Sequence, residues 1–78
     1  MNAAGSVNEA IDQVRAGAAA VVLDFSAFER IDAAALRGLE ELARAAEPQA
    51  AKIVLAGVHV NVYKVLKLMN LTGAFSFA

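Results

Sequence analysis

Seventy-eight residues with a net charge of −1 make one domain, residues 1–78, near the lower limit for a chain that folds alone. Its scattered Lys and Arg offer no footprint for nucleic acid and no attraction to an anionic membrane surface. The absence of cysteine excludes disulfide staples, thiolate metal sites and cysteine nucleophiles together.

Ser6-Val7-Asn8-Glu9 has the form of a capping box, with a hydroxyl at the N-cap and a carboxylate three residues later. Val7, Ala10, Ile11 and Val14 then recur at helical spacing, so a first helix is predicted over Val7 to Ala16, ended by Gly17. The run Ala20-Val21-Val22-Leu23-Asp24-Phe25 lacks alternation and reads as a strand buried on both faces. A loop follows over Ser26 to Ile31, and Asp32 is placed to cap the next helix. That helix spans Ala33 to Ala46, with Leu36, Leu39, Leu42, Ala43 and Ala46 on one face, and Pro48 ends it.

Lys52 to Ala56 reads as a second buried strand, closed by Gly57. The third helix is predicted over Val60 to Met69, with Val62, Val65, Leu66 and Met69 inward and Lys64 and Lys67 outward. Asn70 suits the left-handed residue that ends it. Ala74 to Phe77 forms a short last strand. Helix, strand, helix, strand, helix, strand implies right-handed crossovers and a mainly parallel sheet. Such a small sheet has open edges, and 59% hydrophobic residues with a mean hydropathy of +0.53 exceed what the core can hide. A homodimer, or a partner over the apolar surplus, is expected.

The stretch Ala16 to Leu23 is too short to span a bilayer, and the N-terminus lacks a signal-peptide pattern. The expectation is a cytoplasmic protein without direct membrane insertion.

In its motifs the chain resembles the STAS domain of anti-sigma factor antagonists. Val21-Val22-Leu23-Asp24-Phe25-Ser26 is similar to that family's strand ending in Asp-Leu-Ser. Ile31-Asp32-Ala33-Ala34-Ala35-Leu36 is similar to its Ile-Asp-Ser-Ser-Gly-Leu helix start. Lys52 to Gly57 resembles the next strand, and Val65 to Leu71 the Leu-x-Leu-x-Gly-Leu helix ending, with Asn70 in place of glycine. The resemblance implies an α/β, STAS-like fold: a small, mainly parallel sheet with three helices, lacking about two N-terminal strands of the family. On that footing the chain is a truncated relative, a C-terminal fragment of a longer domain, or a variant.

By the same resemblance the function is non-enzymatic: a protein-interaction module regulating transcription as an anti-sigma factor antagonist. The implied partner is a kinase-like anti-sigma factor, and the implied partner-binding residues are Asp24, Ser26, Phe28, Asp32, Ala33, Ala34 and Arg37. Regulatory members are phosphorylated on a serine of the Asp-Ser-Ser-Gly motif. Ala33 and Ala34 hold the aligned positions here, so no phosphorylation is expected at that site, although Ser26 and Thr72 remain open to it. The alternative implied role is an accessory subunit or tail of a lipid or anion transport system, bound to a transporter subunit.

Weighed from the residues alone, Asp24 and Asp32 form a pair of carboxylates that could hold Mg²⁺ or serve catalysis. They lack a third ligand, a base and a nucleophile, so no metal, cofactor or catalytic residue is assigned. Asp32 reads first as an N-cap, and the three alanines after it read equally well as plain helix formers. His59 stands at a strand-to-helix junction and reads as a capping or solvent-facing residue. Gly57 is isolated, with no phosphate-cradling loop around it. Phe28, alone in the loop, is expected to be an exposed apolar anchor.

Overall fold

The structure is a computed structural model that describes residues 3–78, with side chains from Gly5 onward. Its elements in chain order are α1 (Ala3–Arg15), β1 (Ala20–Asp24), α2 (Ala33–Ala46), β2 (Lys52–Ala56), α3 (Val60–Leu68) and β3 (Ser76–Phe77). Short 3₁₀ turns at Glu47–Gln49 and Thr72–Ala74 follow α2 and α3. The sheet order is β1-β2-β3, with both pairings parallel.

One cluster holds the fold together. Val7, Ile11 and Val14 of α1, Leu39 and Leu42 of α2, and Val62 and Leu66 of α3 share it with the sheet. From the strands come Val21, Leu23, Ile53 and Leu55, and Phe25 and Phe75 close its ends. All three helices therefore pack on a single face of the sheet. Two helix spacings explain this: the apolar stripes of α1 and α2 recur every three or four residues, so each helix has one side to bury. Gly38 lets α1 and α2 approach closely, since a Cβ there would stand 2.8 Å from Val7 Cγ1.

The sheet differs from the sequence expectation in its second face. β1 is exposed, buried, exposed, buried, exposed along its length, and Val22 is 67% exposed. A continuous apolar run implies two covered faces only where helices lie on both sides, and among the described residues none lies on the second. A smaller correction concerns α3. Val65 and Met69, expected inward, are 37% and 45% exposed, because only Val62 and Leu66 of α3 reach the core. On α2, Leu36 and Ala43 pack partly buried against the core on the expected face, and Ala35 and Gly38 are buried as well.

Helix termini follow local chemistry. Gly17, at φ +100°, ends α1 with paired bonds, Gly17 N–H to Val14 C=O and Ala18 N–H to Gln13 C=O, both at 3.0 Å. That is the Schellman pattern, in which a left-handed residue satisfies the last free carbonyls. Asn70 (φ 62°) and Ala50 (φ 52°) repeat it after α3 and α2, with Leu71 N–H on Leu66 C=O and Ala51 N–H on Ala46 C=O. Asparagine takes this conformation readily; alanine does so at a cost. The capping box is a correction: Ser6 lies inside α1, which begins at Ala3, because Ala3 and Ala4 extend the helix beyond the hydroxyl.

Candidate functional site

Parallel pairing brings the carboxyl ends of β1 and β2 side by side, with Asp24 opposite Ala56. The loops leaving them, Phe25 to Asp32 and Gly57 to His59, form one end of the molecule with the start of α2. Ligands of open α/β sheets bind at this end.

Asp24 folds back on its own loop. Its Oδ1 accepts the Ser26 N–H at 2.9 Å, an Asx turn that redirects the chain after the strand. The Ser26 hydroxyl and the Ser26 N–H hold the Asp24 carboxyl below its ordinary value of 3.8. A depressed carboxylate contributes its stabilisation above the ordinary value and loses it as pH falls through the folded value. The Ser26 amide resonance should therefore move with a midpoint below 3.8 in an NMR titration. A midpoint at or above that value would mean that the turn does not hold Asp24.

Phe25 is fully buried and donates its N–H to Ala56 C=O at 2.8 Å. Phe28 N–H then returns to Phe25 C=O at 3.0 Å, and the two rings meet edge to face with centroids 5.6 Å apart. Phe28 is thus half-buried against the core, a correction to the expectation of a free anchor. One face of its ring belongs to the fold and the remainder to the surface.

Asp32 has the expected role. Its backbone is extended (φ −88°, ψ 177°), and its Oδ1 accepts Ala35 N–H at 2.8 Å. A cap of this kind contributes about 1 kcal/mol. Ala33 and Ala34 are exposed on the first turn, Ala35 is buried, and Arg37 points to solvent. The first turn of α2 therefore presents an uncharged surface flanked by Asp32 and Arg37.

Of the expected site residues, Asp24, Ser26, Phe28 and Asp32 lie along one loop that leads directly into the Ala33, Ala34 and Arg37 surface. Asp24 and Asp32 each accept a backbone N–H. Among the described residues, no group of three or more His, Cys, Asp or Glu is placed to hold a metal ion. His59 caps α3, its Nδ1 accepting Asn61 N–H at 3.1 Å. No helix among the described residues is long and apolar enough to cross a membrane.

One contact at this end was not visible in the sequence. Gly57, at φ +66°, lies so close to Ser26 that a Cβ on it would stand 2.8 Å from Ser26 Cβ. The two residues are 31 positions apart, and only the register of β1 on β2 brings their loops together.

A STAS-domain family model matches residues 1–78. The fold is also similar to a crystal structure from Thermotoga maritima described as a candidate anti-sigma factor antagonist, with a TM-score of 0.78 at 22% identity. That similarity covers 97% of this chain and 66% of the other, so the chain spans just under two thirds of the longer protein. No curated protein matches the chain.

Proposed function

The chain belongs to the STAS domain family, and from that premise we propose that it is a cytoplasmic, non-enzymatic binding module of the anti-sigma factor antagonist type. It docks a kinase-like anti-sigma factor through the loop after β1 and the first turn of α2, and so regulates transcription. The observation that carries this reading is the exposed, uncharged turn Ala33-Ala34, held in place by the Asp32 cap and continuous with the Asp24–Ser26 turn. An apolar patch with a polar rim is the anatomy of a protein-binding surface.

The same turn makes the docking constitutive. A phosphoserine would add about −1.5 to −2 charge at this helix start, where the backbone amides attract it but Asp24, Asp32 and an apposed partner repel it. Ala33 and Ala34 cannot carry phosphate, so the surface keeps its uncharged form.

Capture of partners from a lysate of the source organism, identified by mass spectrometry, tests this surface. The natural chain should recover a kinase-like anti-sigma factor, and Arg37→Glu should lose it through charge reversal at the rim. Equal recovery by both chains would reject the surface. Recovery of transporter ATPase or permease subunits instead would replace this reading with the accessory-subunit role.

A further inference from the structure

The outward face of α3 combines apolar side chains with charge of one sign. Val62 and Leu66 turn the helix to the core. At 3.6 residues per turn, Val60, Lys64 and Leu68 then form a ridge on the far side, with Lys67 beside it. Leu68 is 86% exposed and Val60 58%. The two flanks of the helix are engaged elsewhere. Tyr63 meets Phe77 of β3 edge to face, with ring centroids 5.2 Å apart. Met69 turns towards α2, where it lines a groove of about 610 Å³ with Ala43 and Ala46. The ridge between these flanks points away from the sheet. His59 caps one end of the helix and the left-handed Asn70 closes the other, so the ridge is preformed.

We propose that this ridge docks an amphipathic helix of a partner protein, one whose apolar stripe is bordered by Asp or Glu. Charge selects the acidic border. All eight Asp and Glu of the chain precede Pro48, and the Lys and Arg after it are Lys52, Lys64 and Lys67. A partner therefore meets two ammonium groups on α3 and no carboxylate, which attracts acidic residues and repels basic ones. Spacing selects a helix, because a row at i, i+4 and i+8 is the ridge that packs into the groove of another helix. Val60 and Leu68 supply the apolar contact, and the methylene stems of the lysines extend it. Among the described residues, every exposed large apolar side chain except Val22 belongs to α3, Met69 or Phe77, and such a concentration marks an interaction surface. A second copy would meet like charge. Lys64 is the midpoint of α3, so pairing of this face about a two-fold axis sets it beside its own counterpart. The inference does not rest on the docking turn, with which the ridge shares no residue.

The test titrates the full chain with a capped peptide, Glu-Leu-Ala-Glu-Leu-Leu-Glu-Glu-Leu-Ala-Glu-Leu-Leu-Glu, and with a version carrying Lys for every Glu. Backbone amide resonances are followed by NMR. The acidic peptide should shift Val60 to Leu68 saturably and leave Ala33 and Ala34 unmoved, and the basic peptide should bind about tenfold more weakly or worse. Leu68→Gln keeps helix propensity at an exposed position and should weaken the acidic peptide about tenfold. Lys64→Glu combined with Lys67→Glu should reverse the preference between the peptides. Val22→Thr, exposed on the sheet, should change nothing. No saturable shift on α3, equal affinity for both peptides, or equal loss from Val22→Thr and Leu68→Gln would each overturn the proposal. Vesicles of phosphatidylcholine with phosphatidylglycerol, and the chain alone at rising concentration, are measured alongside. Shifts on α3 from vesicles or from concentration, with none from the peptide, would replace the partner helix with a membrane surface or a second copy.

Discussion

Phe25→Ala will destabilise the chain by about 3–5 kcal/mol, the usual cost of deleting a fully buried aromatic ring. Phe25 closes the core at the carboxyl end of β1 with no exposed surface, and its ring is the edge-to-face partner of Phe28. Truncation leaves a cavity and also removes what holds Phe28 against the core. At about 0.05–0.15 kcal/mol per residue, a chain of 78 residues has about 4–12 kcal/mol in total, so the loss removes at least about a quarter of it. Urea unfolding followed by circular dichroism reads this. Val22→Ala on the same strand, 67% exposed, should shift stability by no more than about 0.5 kcal/mol. A loss below about 1 kcal/mol at Phe25 would show that the core is not closed where the structure places it.

Gly57→Ala should cost about 2–4 kcal/mol, from two separate causes. A left-handed backbone at φ +66° costs an L-residue about 1–2 kcal/mol. The added Cβ would also meet Ser26 at Cβ (2.8 Å), Cα (3.2 Å) and N (3.3 Å). Two of those atoms are backbone and cannot swing aside, so the loop itself must move. Since Ser26 N–H is the group bound by Asp24, the displacement should break the Asx turn as well. The Ser26 amide of Gly57→Ala should then no longer follow Asp24 in an acid titration. A variant of native stability with an unaltered Ser26 resonance would contradict the close contact.

Much of the fold was legible along the chain because local chemistry and packing agree there. Asp32 caps α2, Gly17 and Asn70 take the left-handed conformation after α1 and α3, and the runs at β1 and β2 are strands. Where the reading failed, the cause was an interaction that no short stretch encodes. Val65 and Met69 are apolar, yet α3 reaches the core only through Val62 and Leu66. Val22 sits in an unbroken apolar run, yet no helix among the described residues covers its side of the sheet. Phe28 looked like a free anchor although Phe25 is only three residues away, because the turn that brings the two rings edge to face has no signature in the residue types. The capped first turn of α2 was legible through the motif around Asp32, whereas the Gly57–Ser26 contact depends on the register of β1 against β2.

The central claim is that the first turn of α2 is a docking face kept permanently uncharged by Ala33 and Ala34. Binding of the captured kinase-like partner to the natural chain and to Ala34→Ser, each with and without ATP, tests it most directly. The natural chain should bind equally in both conditions. The serine variant should bind without ATP, then acquire phosphate and dissociate when ATP is added. Release of the natural chain by ATP, through Ser26, Thr72 or any other residue, would contradict the claim, as would a phosphorylated serine variant that stays bound.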